Sequence, residues 1–166
     1  MAVELEPCGP DRREVIANLF QFYVHDFADF WVSRQADFQE DGRFGRYPPL
    51  DDYWDRPGGE ALLIRADGRP AGFVLINREG HSGLACDFNM GEFFVGRPYR
   101  RAGVGRAAAL AALRARPGLW EIAVARRNLP AQAFWLQVAT VTGAVEALDR
   151  DDAHWNGPVL RLSVAG

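Results

Sequence analysis

Apolar residues recur at helical spacing near the start of the chain and predict a first helix over residues 11–27. Asp11 followed by Glu14 matches a capping box, which predicts Asp11 as the N-cap residue. A short strand over residues 3–7 precedes this helix, and residues 28–57 are predicted to form a second short helix and an ordered loop. The apolar stripe of the first helix consists of Val15, Ile16, Leu19, Phe20 and Tyr23.

The rest of the chain alternates between strand and helix patterns. An Asp-Gly turn between two apolar runs predicts a hairpin, and an alanine-rich helix from Val104 stops at Pro117. The whole order predicts one α/β domain over residues 1–166, with a mixed sheet and helices on its faces. Strands are predicted over residues 61–65, 71–77, 84–95, 119–125, 144–148 and 158–164, and a last helix over residues 129–143.

Composition narrows the classes of function. No apolar run reaches the roughly 20 residues of a membrane span, and the first residues lack a signal-peptide pattern, so we expect a cytoplasmic protein without a membrane partner. A net charge of −3 and a pI of about 5.6 argue against nucleic-acid binding. The absence of lysine excludes Schiff-base catalysis and a Walker-type phosphate site. The cysteines and histidines are not spaced as metal ligands, so we expect no metal.

Two glycines, Gly103 and Gly105, begin the alanine-rich helix, although each weakens a helix by about 1 kcal/mol relative to alanine. The first turn of a helix has unpaired N–H groups and a partial positive charge, and glycines would let an anion reach them. Arg100, Arg101 and Arg106 add positive charge. The segment therefore predicts a phosphate or pyrophosphate site.

Two other interpretations of these glycines remain. They could simply allow close packing of a helix on a strand, with the arginines in solvent. They also match the G-x-G-x-x-A fingerprint of nicotinamide-dinucleotide proteins. That fingerprint is disfavoured because residues 96–102 separate the preceding strand from Gly103.

The segment EFFVGRPYRRAGVGRAA, residues 92–108, resembles the acetyl-CoA signature of the GNAT superfamily of N-acetyltransferases, with Arg100, Gly103 and Gly105 at the signature positions. The later segment GLWEIAVARRNLPAQAFW resembles the next strand and helix of that family, with Asn128 at the expected spacing. The resemblance covers roughly residues 60–148. It implies a GNAT-like, mostly antiparallel splayed sheet of about seven strands flanked by about four helices.

The resemblance also implies acetyl-CoA as the cofactor, with its pantetheine arm between two separating strands. Phe94 and Val95 would contact the arm, backbone N–H groups of residues 101–106 would hold the pyrophosphate, and Asn128 would pair with the pantetheine or the neighbouring backbone. The implied cofactor-binding residues are Phe94, Val95, Arg100, Arg101, Ala102, Gly103, Val104, Gly105, Arg106, Asn128 and Trp135.

The implied reaction is transfer of an acetyl group to a primary amine. The Val95 N–H is the expected oxyanion donor. Glu92 is the expected base, because strict alternation places it on one strand face with Phe88, Met90 and Phe94, where apolar neighbours would raise its pKa. A bulge would change that face, and a surface role for Glu92 is the alternative. Asp87 and Asn89, on the opposite face, are other candidates for the base.

Position 135 departs from the family pattern. Many members carry a tyrosine seven residues beyond the asparagine, where its hydroxyl can protonate the thiolate, but this chain has Trp135. An indole cannot supply a proton at neutral pH. A non-catalytic acyl-CoA-binding or sensor protein is therefore the alternative function.

The region that walls the acceptor site in this family is acidic here. Residues 26–55 carry eight acids and three arginines, whereas residues 97–106 carry four arginines and no acid. Acids beside aromatic rings would attract a small cationic amine, although such acids can also serve solubility alone. Neutralising Asp26 and Asp29 together is expected to raise the KM for the acceptor. Because dimers are common in the family, the resemblance also makes a homodimer one expected form of assembly. The expected acceptor-binding residues are Tyr23, His25, Asp26, Asp29, Trp31, Tyr53 and Trp54.

Overall fold

A computed structural model describes residues 1–28, 30, 38–45 and 50–166 of the chain. The element order is the predicted one, and it confirms a mixed α/β fold with seven strands and four α-helices in the described ranges. Short 3-10 helices lie at Pro10–Arg12 and Arg97–Tyr99. The elements are β1 (Val3–Pro7), α1 (Arg13–Phe27), α2 (Asp52–Asp55), β2 (Glu60–Ala66), β3 (Arg69–Asn77), β4 (Phe88–Val95), α3 (Val104–Arg114), β5 (Gly118–Ala123), α4 (Leu129–Thr140), β6 (Gly143–Asp151) and β7 (Asn156–Val164).

The strands form one sheet in the order β1-β2-β3-β4-β5-β7-β6. All neighbours are antiparallel except β4 and β5, which run parallel and pair at only two positions, Phe88 with Trp120 and Asn89 with Glu121. Beyond Asn89, β4 pairs with β3, while β5 continues along β7. The two central strands therefore part towards their C-terminal ends, and this confirms the splayed sheet. We call the opening the gap and its closed end the apex.

Each face of the sheet carries its own apolar cluster. On one face, which we call the α3 face, α3 and α4 cover side chains such as Val74, Ile76 and Trp120. On the other, the α1 face, α1 and α2 pack against Phe73 and Leu75. Successive residues of β3 thus serve opposite cores, which explains why this central strand is an unbroken apolar run instead of an alternating one.

Several predicted boundaries differ from the structure, and two of the differences have a clear physical reason. Pro10, with its fixed φ, begins a 3-10 turn, so α1 starts at Arg13 and Arg12, not Asp11, is the N-cap residue, with no side-chain cap hydrogen bond. Strand β4 begins at Phe88 instead of residue 84, because the residues before it fold into a loop around the carboxylate of Glu121.

A bulge interrupts β4 at Gly91, where Met90 and Glu92 pair with consecutive residues of β3. Phe88 and Met90 pack on the α3 face, whereas Phe94 packs on the α1 face. The prediction that all four side chains share one face was therefore wrong for Phe88 and Met90, because the extra residue reverses the alternation. Glu92 lies with Phe94 on the α1 face.

Candidate active site

The chain between β4 and α3, residues 96–106, forms a turn that we call the glycine turn. Gly103 is the N-cap residue of α3 with a φ of +81°, and Arg101 also has a positive φ of +60°. Among the described residues, the six backbone N–H groups of residues 101–106 donate to no protein acceptor. Left-handed residues alternating with ordinary ones turn consecutive N–H groups towards a common point, which is an anion-binding arrangement.

The two glycines of this turn have different physical roles. A Cβ on Gly103 would meet nothing within 4 Å, so glycine is required there by its backbone conformation and not by space. A Cβ on Gly105 would lie 3.6 Å from Val95 and 3.6 Å from Phe134, in ordinary contact. A Cβ on Gly105 would thus fill the space between these two side chains, and the role of this glycine in clearing the amides for an anion stays a prediction.

The edge of β4 that borders the gap is formed by Val95 and Phe93. The Gly96 N–H donates to the Ala71 carbonyl of β3 at 2.8 Å, so the preceding Val95 N–H points away from β3 and into the gap. The Val95 carbonyl lies on the same side, where it accepts a hydrogen bond from Arg100 Nε at 2.7 Å. The Phe94 carbonyl instead faces β3, where a Cβ on Gly72 would overlap it. The Phe94 carbonyl therefore does not face the gap, and the backbone groups on that edge of β4 belong to Val95 and to Phe93, a residue that sequence reasoning missed.

Aromatic rings form the wall of the gap on the α3 face. Phe93 stacks on Phe134 with ring centroids 5.8 Å apart, and Trp135 meets Phe93 edge-on at 5.0 Å. Trp135 is buried in this cluster. Asn128 caps α4 by accepting a hydrogen bond from the Ala131 N–H at 3.2 Å, which is the second of its two predicted pairings.

On the α1 face, two tyrosines from different helices lie against β4 at the bulge. The Tyr23 hydroxyl of α1 donates a hydrogen bond to Glu92 Oε2, and the Tyr23 ring meets Phe94 edge-on at 6.2 Å. The Tyr53 hydroxyl of α2 occupies the space that a Cβ on Gly91 would need. The bulge thus brings the Glu92 carboxylate into contact with the Tyr23 phenol, a combination suited to holding and moving a proton.

The printed contacts of two further predicted acceptor-binding residues, His25 and Trp54, lie outside this cluster. Asp29 and Trp31 lie outside the described residues, and His25 is exposed. Trp54 donates from Nε1 to the Cys8 carbonyl at 2.7 Å and carries the Arg13 guanidinium over its ring. Trp54 therefore braces α2 against the start of the chain.

Asp26 faces the glycine turn. Its carboxylate pairs with Arg97 at 3.0 Å and with Arg100. Burial raises the pKa of Asp26, but the hydrogen bonds and charges of the two arginines outweigh burial and hold the pKa below its ordinary value. The structure thus joins Asp26, the first acid of the acidic stretch, to the glycine turn, a contact that no sequence pattern indicated.

Other acids of the stretch lie on the far side of α1. A cavity of about 400 Å³ is lined there by Asp41, Asp51 and Trp54, among others. Neither Glu92 nor Tyr23 belongs to its described lining. This cavity is therefore separate from the cluster at the bulge.

The loop before β4 is folded around a buried carboxylate at the apex. Glu121 of β5 is fully buried and accepts hydrogen bonds from the His81 N–H at 2.8 Å and the Ser82 N–H at 3.1 Å. The Ser82 hydroxyl and Arg161 of β7 also donate to it. The signal available in the sequence was Glu121 itself, since a carboxylate within an apolar strand needs partners.

This loop presents His81 at the apex on the α1 face, against Trp155 at 4.6 Å and beside Asn89. Burial lowers the pKa of His81, and outweighs the opposing effects of Glu121 and the Asn89 side chain. Three buried atoms of this cluster, His81 Nδ1, Asn89 Oδ1 and Trp155 Nε1, have no hydrogen-bond partner among the described residues. Asn89 was predicted to face away from Glu92, but the bulge puts both on the α1 face.

The sequence pattern of the Acetyltransferase (GNAT) family matches residues 21–139. No curated protein sequence matches the chain. In the described ranges no helix combines the length and the apolar character that a transmembrane span requires.

Solved structures share the fold over nearly the whole chain. An acetyltransferase from Thermus thermophilus superposes with a TM-score of 0.70 at 14% identity, covering 99% of this chain and 98% of that one. The PaiA N-acetyltransferase from Thermoplasma acidophilum, in complex with coenzyme A, gives a TM-score of 0.64 at 12% identity, with coverages of 98% and 99%. A GNAT-family acetyltransferase from Staphylococcus aureus gives a TM-score of 0.62 at 12% identity, with coverages of 99% and 100%.

Proposed function

Because this chain belongs to the acetyltransferase (GNAT) family, whose acyl donor is acetyl-CoA, we propose that it transfers an acetyl group to the primary amine of a small molecule. The observation that carries the proposal is the gap between β4 and β5 together with the N–H groups at its mouth, which have no acceptor in the part of the chain that the structure describes. A phosphate at the glycine turn and an extended arm along β4 match these two features. The family supports N-acetylation as the general activity, and the acceptor is our proposal.

The donor set at the mouth of the gap fits a phosphate-bearing ligand. The backbone N–H groups of residues 101–106 and the guanidinium groups of Arg100, Arg101 and Arg106 are donors without acceptor character, as an anion requires. Val95 and Phe93 offer backbone groups to an arm in the gap, and Trp135 lies in its wall. When bound there, acetyl-CoA supplies an activated acetyl group.

Glu92 is the proposed base. An acceptor amine is protonated at neutral pH and must lose a proton before its lone pair can attack, so Glu92 takes this proton on its carboxylate. The hydrogen bond from Tyr23 orients the carboxylate and holds it at the bulge. The Val95 N–H, which points into the gap, stabilises negative charge on a carbonyl oxygen there.

The proposed acceptor is a small cationic amine. Residues 26–55 carry eight acids against three arginines, and an excess of negative charge raises the local concentration of cations. The buried Tyr23 ring lies beside Glu92, and an aromatic ring next to a carboxylate favours an ammonium group. Asp26 and Trp54 contribute less to this argument, because both are engaged in internal contacts.

One observation favours a second function. Trp135 stands where the family's proton-donating tyrosine is common, and it is packed against Phe93. A chain that binds acyl-CoA without efficient transfer would tolerate this side chain. Turnover against an amine panel separates the two functions.

The test begins with thermal unfolding of the protein in the presence of CoA, acetyl-CoA, NAD and NADP. A ligand at about 100 times its Kd adds about 2.7 kcal/mol of stability. We expect stabilisation by the two CoA compounds only; stabilisation by the nicotinamides alone would refute the proposal. Release of free thiol from acetyl-CoA is then measured with polyamines, aminoglycosides and amino-acid amides. Stabilisation by CoA without thiol release from any amine would favour the binding protein.

A further inference from the structure

Asp26 lies in the last turn of α1, where an acid is unfavourable because the helix dipole places partial negative charge at that end. Its carboxylate is only 18% exposed and bridges Arg97 and Arg100 of the glycine turn. The unfavourable position is thus offset by two guanidinium groups. Helix α1 thereby contacts the glycine turn, at which the phosphates are proposed to bind.

The two arginines depend on Asp26 to different degrees. The Arg97 side chain is 73% exposed, and Asp26 is its only hydrogen-bond partner among the described residues. Arg100 also donates to the Val95 carbonyl and lies 5.5 Å over the Phe94 ring. Without Asp26, Arg97 would sample many rotamers and Arg100 would keep part of its geometry.

We propose that Asp26 is a positioning residue for the cofactor and not a ligand of the acceptor amine. It orients the guanidinium groups of Arg97 and Arg100 so that their remaining N–H donors are available to phosphate oxygens. Each guanidinium has five N–H donors, and the contacts with Asp26 and Val95 leave several of them free. The inference rests on the proposed binding of acetyl-CoA.

The negative charge of Asp26 also repels a phosphate, so two effects oppose each other. The carboxylate is in direct contact with two positive groups, and solvent screens what charge remains. Ordering an exposed arginine costs side-chain entropy that Asp26 has already removed before the ligand arrives. We therefore expect the positioning effect to dominate.

The experiment is calorimetric binding of CoA to the full chain carrying Asp26→Asn. We expect the Kd for CoA to rise about tenfold, and Asp26→Glu, which keeps the carboxylate, to recover at least part of this loss. Asp55→Asn is the matched control, because Asp55 belongs to the same acidic stretch but is exposed and pairs with Arg13. We expect it to leave the Kd unchanged. An unchanged or lower Kd in Asp26→Asn would overturn the inference.

Steady-state kinetics separate a cofactor role from an acceptor role. In Asp26→Asn we expect a higher KM for acetyl-CoA and an unchanged KM for the acceptor at saturating acetyl-CoA. A raised acceptor KM with unchanged CoA binding would restore the amine-binding role predicted from the sequence.

Two further measurements keep the outcome decisive. If the wild-type protein binds no CoA, the proposed function fails, whereas normal wild-type binding with an unaltered variant refutes the inference alone. If Asp26→Asn does not fold, Arg97→Gln replaces it, since Asp26 acts through this arginine. Where both fold, the effect of Asp26→Asn must shrink in the Arg97→Gln background; full additivity would contradict the proposal.

Discussion

The glycine turn and the α1 face of β4 are neighbouring regions built in opposite ways. The turn is a single run of residues whose backbone N–H groups form the proposed phosphate site, and its left-handed positions are set within that run. The α1 face collects Tyr23, Tyr53, Glu92 and His81 from segments far apart in the sequence. A contiguous backbone site tolerates change in its side chains, whereas a site assembled from distant side chains depends on the elements that carry them.

The largest effect is expected where the α1 face depends on a buried ion pair. Arg161→Leu removes the partner of Glu121 and leaves a buried carboxylate with reduced compensation, so we expect a loss of about 3 kcal/mol or more in the free energy of unfolding. Urea unfolding measures it. Arg56→Gln is the control, because its pairs are exposed and such pairs contribute about 0–1 kcal/mol. Equal losses in the two variants would mean that the Arg161–Glu121 pair does not stabilise the loop before β4.

Glu92→Gln tests whether chemistry lies on the α1 face while binding lies on the turn. We expect kcat/KM to fall by roughly 100-fold, since general-base groups commonly contribute about 10² to 10⁴ in rate. CoA affinity should stay within about twofold, because the turn is unchanged. Tyr23→Phe, which removes only the hydrogen bond to the carboxylate, should fall between wild type and Glu92→Gln. Unaltered kcat/KM in Glu92→Gln would remove Glu92 from the mechanism.

The two glycines allow a sharper test inside the turn. Gly103→Ala forces an alanine into a left-handed conformation and should destabilise the protein by about 1–2 kcal/mol. Gly105→Ala should be neutral or stabilising, because alanine is the better helix former, yet it should weaken CoA binding by narrowing the passage beside Val95 and Phe134. Thermal unfolding and calorimetry report the two quantities separately. Equal losses of stability in the two variants would contradict the different roles that we assign to the two glycines.

The smallest effect concerns pH. Burial lowers the pKa of His81, so the imidazole of the folded protein resists protonation. In the unfolded chain the same imidazole binds a proton at about pH 6.5. Stability should therefore fall as the pH drops below about 6.5, by at most about 1.4 kcal/mol for each pH unit, until the folded state is protonated too. Denaturant unfolding of the wild type and His81→Gln over roughly pH 5 to 8 measures the difference. A slope that is identical in the two proteins would exclude His81 as its source.

Hydrophobic periodicity was sufficient for the order of the elements, because burial of one stripe or one face is a local requirement on the sequence. It failed at Asp11, where Pro10 favours a 3-10 turn, and at the face of Glu92, where one extra residue reverses the alternation. Side chains alternate strictly between the two faces only while paired strands keep their register. The partner strand decides whether the register is kept.

The sequence by itself determined the class of fold, the family signature and the position of the glycine turn, because each depends on residues that are close together in the chain. Only the tertiary structure decided that Asp26 pairs with the glycine turn, that Tyr23 binds Glu92 and that His81 lies beside Asn89. These contacts join residues whose separation carries no periodic signal. They exist because α1 and the loop before β4 dock on the same face of the sheet, and docking follows from packing the whole chain around two cores.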